Sequence, residues 1–142
     1  MPLPCETKGI LRLLRGVLSI HLLAVIAQAT LAGMFLSGTA TALSWHEMTA
    51  RAVAAICLLQ IVTTVLLRVR GGCPTWMLIS AIAILLAEVL ETYSGYRGIL
   101  AVHVPLALGI FGGIMRQLFW TVRGTRSANE TFQEGSTYES VN

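Results

Sequence analysis

"WHEMTARAVAAICLLQIVTTVLL" (45–67) is a hydrophobic run that opens with a histidine, a glutamate and an arginine inside six positions. From Val53 onward it is almost wholly apolar and free of charge. A helix needs about 20 such residues to cross a bilayer. In lipid a single segment satisfies its backbone polar groups only as a helix. Three similar runs lie at 16–36, 75–93 and 99–120. The composition agrees: of 142 residues 55% are apolar and 12% charged, against about 25% charged in soluble domains. Mean hydropathy is +0.73. The expected fold is therefore all-α, an integral membrane four-helix bundle in up-down order, since short connections make neighbouring helices antiparallel.

Charge orients that bundle. Lys8, Arg12 and Arg15 precede the first run, Arg68 and Arg70 follow the second, and Arg116, Arg123 and Arg126 close the fourth. The other side has only Arg97 near a helix end and Arg51 a turn inside helix two. Positive charge stays in the cytoplasm, so both termini are expected there. Residues 1–15 read as a basic cytoplasmic N-terminus and 16–120 as the membrane domain. Residues 121–142 read as a polar cytoplasmic tail too poor in apolar groups to order itself. There the sequon "NET" (129–131) carries no meaning. A net charge of +3, spread as small clusters between apolar runs, fits membrane topology and not nucleic acid. A rival reading takes residues 1–42, ending in "ATA", as a cleavable signal, but the apolar stretch is about twice a usual signal core. Cys5, Cys57 and Cys73 have no metal-binding spacing and read as free thiols.

The polar residues inside the spans are the functional signal, because each costs roughly 2.5–3.5 kcal/mol at such depth and so faces the interior with a partner. His46 and Gln60 on helix two are fourteen residues apart, as are His103 and Gln117 on helix four. Fourteen residues is close to four helical turns, so each pair shares one face. This suggests two helix hairpins of one design, 1–70 and 71–126. His46 and His103 fall at matched depth near the outer surface, in a half that also holds Gln28, Arg51, Glu88 and Glu91. Two imidazoles from alternate helices suit haem iron, which takes axial ligands from opposite sides. Ala50, Ala54, Ala107, Gly109, Gly112 and Gly113 thin the helices for a flat guest. Arg51 and Arg97 are then placed for its propionates. His21, deeper, reads as a structural hydrogen-bonding residue. The plainer alternatives are a capping His46, a His103 bonded to a carbonyl, and a local Glu47–Arg51 pair at i,i+4.

"LAVIAQATLAGMFLSG" (23–38), "HEMTARAVA" (46–54) and "LAVHVPLALGIFG" (100–112) resemble a family of small four-helix actinobacterial membrane proteins of unknown function. The layout is also similar to one half of haem A synthase. That resemblance implies His46 and His103 as axial ligands of a haem b in a bacterial cell membrane. It departs at "EMTAR" (47–51), where Ala50 stands in the place of that enzyme's histidine, and the outer-loop cysteine pair is missing from 37–45. Haem binding with electron transfer, as a membrane oxidoreductase component, is therefore the expectation, and haem A synthesis is not. A quinone or a redox protein would be its partner, and small-residue faces allow a homodimer. Two other functions stay open. One is a cofactor-free structural or assembly subunit. The other is a small proton-coupled carrier component using Glu88, Glu91 and His103, with Pro105 letting helix four bend.

Overall fold

The structure, a computed structural model, describes residues 5–139 apart from position 71, with side chains over 7–123. It contains four helices: α1 (Cys5–Leu36), α2 (Thr41–Val69), α3 (Thr75–Tyr96) and α4 (Leu100–Glu139). Among the described residues there is no strand. All four are long and apolar enough to cross a membrane, over Thr7–Leu36, Thr41–Val69, Thr75–Tyr96 and Leu100–Arg123. Only 17–33% of each span's apolar window is buried inside the protein. Ile20, Leu23, Leu58, Leu86 and Leu108 are among the large apolar side chains left facing outward. That much apolar surface is the outside of a multi-pass membrane protein, for which lipid is the matching solvent.

Two element boundaries differ from the sequence reading by more than two helical turns. α1 begins at Cys5, not Gly16, because Leu11 and Leu14 are buried and continue its inward stripe through the basic segment. α4 continues as helix past Trp120 to Glu139, across the stretch read as a disordered tail, while its membrane-crossing part ends at Arg123.

Each helix buries one narrow seam. On α1 it is Thr7, Leu11, Leu14, Leu18 and His21; on α2, Val53, Cys57, Gln60, Thr64 and Leu67. On α3 it is Met77, Ala81, Ile84 and Glu88, and on α4 Ile110, Ile114, Gln117 and Thr121. The steps alternate four and three residues, the spacing that keeps a seam facing a partner helix. α1 packs on α2 and α4, and α3 packs on α2 and α4. The pairs α1/α3 and α2/α4 therefore face each other across the bundle axis. At one end, the Arg15 guanidinium donates to the Thr121 carbonyl and ties α1 to α4.

The α1–α2 and α3–α4 turns are built alike. After α1, Thr39 N–H bonds to Met34 C=O and Gly38 N–H to Phe35 C=O; after α3, Ile99 N–H bonds to Ser94 C=O and Gly98 N–H to Gly95 C=O. This double closure needs a left-handed residue, supplied by Gly38 at φ +99° and Gly98 at φ +68°. Gly98→Ala is expected to cost about 1–2 kcal/mol, read as a lower thermal midpoint in detergent, with Gly98→Asn losing less. The α2–α3 turn is different: Cys73, outside the spans, is buried and points its thiol at the Thr64 carbonyl, 3.7 Å away. Burial pushes that thiol's pKa up, against a smaller lowering by Arg68. Cys57 and Cys73 are both free thiols.

Candidate functional site

The polar residues of the four seams gather into two layers. In the first, the rings of His46 and His103 meet across the axis from the diagonal helices α2 and α4. Their centroids are 6.2 Å apart and their planes inclined by 60°. Both histidines are half-buried. His46 Nδ1 lies 3.1 Å from the Gln28 carbonyl on α1, and His103 Nδ1 lies 2.8 Å from the Glu91 carbonyl on α3. A carbonyl only accepts, so each Nδ1 carries the hydrogen and donates it. In a neutral imidazole, Nε2 then holds the free lone pair. Each ring is thus oriented by the main chain of the preceding helix, the outer bond that metal-ligating histidines usually make.

Neighbouring groups hold these anchors. Gln28 Nε2 donates to the His46 carbonyl and the Thr49 hydroxyl, both at 3.0 Å. Glu91 Oε1 approaches His103 Nε2 at 3.4 Å, longer than the 2.7–2.9 Å of a strong charge-assisted bond, so it competes weakly for that nitrogen. Gly95 lets α3 run close to the second ring: a Cβ there would lie 3.0 Å from Cε1 and Nδ1 of His103. Both histidines line a cavity of about 670 Å³ with Gln28, Glu88, Glu91 and otherwise mostly apolar walls. That volume and lining are those of small-molecule and cofactor sites.

The second layer lies at the His21 level. His21 Nδ1 donates to Gln60 Oε1 at 2.7 Å, and Gln60 Nε2 donates to Gln117 Oε1 at 3.1 Å. His21 Nε2 faces Glu88 Oε1 at 2.8 Å. His21, Gln60 and Gln117 are fully buried, and Glu88 is 5% exposed. The His21–Gln60–Gln117 hydrogen bonds tie α1, α2 and α4 in register, while Gln117 Nε2, His21 Nε2 and both Glu88 oxygens are buried without a hydrogen bond.

Of the residues singled out in the sequence, His46 and His103 are brought together. Arg51 and Arg97 are exposed and do not line the cavity. Among the described residues no ion pair joins Glu47 to Arg51, and both side chains point outward. The helix-four glycines divide: a Cβ on Gly113 would meet Ile84 Cδ1 at 3.1 Å, whereas Gly109 and Gly112 have open space beside them. Gly113 therefore serves α3–α4 packing. Glu88 and Glu91 separate, one to each layer. Gly95 and the Gln60–Gln117 bond went unread as site features, though the equal His–Gln spacing on two helices pointed toward the bond. Comparisons of the chain with protein-family models, with curated proteins and with solved structures found no match.

Proposed function

We propose that the protein is a b-type cytochrome-like component of a bacterial cell membrane, holding one haem between His46 and His103 and passing electrons. In this reading the four helices run up and down with both termini cytoplasmic, as the clustering of Lys8, Arg12, Arg15, Arg68, Arg70, Arg116 and Arg123 implies. The observation that carries the proposal is the separation of the two rings. His46 and His103 would hold the haem iron, their ring centroids standing 6.2 Å apart across the axis with room for one metal atom between them. The donated Nδ1 hydrogens support it, since they leave Nε2 for iron. A haem held by both imidazoles would supply one-electron transfer.

The chain's own residues then have defined tasks. Gln28 and Glu91 hold the imidazoles by their carbonyls, and the apolar cavity wall keeps water from the ring. Arg51 and Arg97 are the basic groups of this end for the propionates. The second reading is a cofactor-free scaffold, favoured by the buried His21–Gln60–Gln117 hydrogen bonds that join three helices.

The test is colour. Full-length protein purified in detergent with ample haem should show a Soret band and sharp reduced α and β bands, at one haem b per chain. Stable but colourless protein would leave the scaffold. A finer check uses Gly95. Gly95→Ala should displace the His103 ring by a few tenths of an ångström and weaken haem binding, while Gly109→Ala, with no atom within 4 Å of its new Cβ, should not.

A further inference from the structure

A second group of donors lies in the core, separate from the two facing histidines. His21 from α1, Cys57 from α2 and Glu88 from α3 each offer one ligand atom, and these atoms all lie within 4.8 Å of one another. His21 and Cys57 are wholly buried and Glu88 nearly so. We propose that His21, Cys57 and Glu88 form a buried site for a divalent transition-metal ion of the zinc class.

The first argument is an unpaired carboxylate. Neither Glu88 oxygen has a hydrogen-bond partner, and neither does His21 Nε2. The 2.8 Å approach of Nε2 to Oε1 is thus a close contact without the direction of a hydrogen bond. A carboxyl this deep in a membrane protein takes up a proton or has a cation beside it, and a metal ion that all three donors share supplies that cation.

The second argument is orientation. Gln60 Oε1 accepts the Nδ1 hydrogen of His21 and is itself fixed through Gln117. That chain sets the tautomer and leaves Nε2 free on the side of Cys57 and Glu88, as outer partners of metal ligands do. Donor type is the third. Imidazole, thiolate and carboxylate are all zinc ligands, while the thiolate disfavours calcium and magnesium. Tetrahedral zinc separates its donor atoms by about 3.3–3.6 Å, which small side-chain rotations reach from the present spacing. Three protein ligands leave a fourth position open, as in catalytic zinc sites.

Charge selects the divalent state. A thiolate and a carboxylate with a neutral imidazole cancel a 2+ ion, so the loaded site is neutral inside a low-dielectric core. A monovalent ion would leave it negative. Cys57 binds as the thiolate, so loading the site releases the thiol proton. Glu88 also borders the cavity beneath the facing histidines, which gives the ion a route in.

The experiment uses full-length protein in detergent, stripped with a chelator and titrated with Co²⁺ as the probe. One Co²⁺ per chain, visible ligand-field bands and a near-ultraviolet thiolate-to-cobalt band are expected. Cys57→Ser should abolish the thiolate band, and Gln60→Leu should weaken binding by about 10–100-fold, the usual effect of losing an outer partner. A double His46→Ala/His103→Ala variant should keep the band, so failure here is separable from failure of the haem proposal. Binding with no thiolate band, a band that survives Cys57→Ser, or no binding by protein that elutes as a folded particle would each overturn the site and leave His21 and Glu88 as a proton-neutralised pair.

Discussion

Replacing His46 or His103 with alanine is expected to remove the low-spin haem spectrum, while His21→Gln leaves it intact. The two residues reach the axis from diagonal helices, and no other imidazole stands at their level. His21 is bonded to Gln60 and faces Glu88 in the other layer. Loss of one axial ligand leaves iron with a single strong-field partner, so the sharp reduced α band should collapse and the Soret band broaden. Affinity should fall by at least about tenfold, since even outer partners of metal ligands are worth 10–100-fold. Detergent spectra, with haem titrations of each variant, measure both effects. Equal spectra for His46→Ala and the parent protein would exclude His46 as a ligand.

The second large effect concerns the buried His21–Glu88 pair. His21→Leu and Glu88→Leu each leave one ionisable group in the core without its partner. A stranded charge would cost about 3–5 kcal/mol, but the survivor can neutralise itself by gaining or losing a proton. What remains is an unsatisfied buried polar group, at about 1–3 kcal/mol. Each single variant should therefore melt markedly lower than the parent. The double variant should lose less than the sum of the two, with a coupling of about 0.5–3 kcal/mol, because two apolar side chains leave nothing to neutralise. Thermal or SDS-induced unfolding of chelator-treated protein gives all four corners of the cycle. Strictly additive losses would mean that the two side chains do not act as a pair.

Both effects come from one construction principle, a polar group placed at seam positions of an otherwise apolar helix. His21, Gln60, Glu88 and Gln117 occupy the same four-three rhythm as Leu14, Leu67, Ile84 and Ile114. The pattern was present in the chain. The fourteen-residue His–Gln spacing placed each pair on one helix face, and depth put His46 and His103 at one level. Which helices face across the axis was not present, because four similar apolar spans can be arranged in several cyclic orders with comparable burial.

The sequence alone determined that this is a four-helix chain apolar enough for a membrane, since hydropathy and span length are local properties. It also marked the polar residues of the spans, though Glu47 and Arg51 among them face outward. Tertiary structure decided the partners: His46 with His103, His21 with Gln60 and Glu88, Cys57 beside them, and Arg51 and Arg97 left at the surface. Partner choice depends on distances between helices, of which Gly95 and Gly113 set the α3–α4 approach, and no single segment encodes a distance to another.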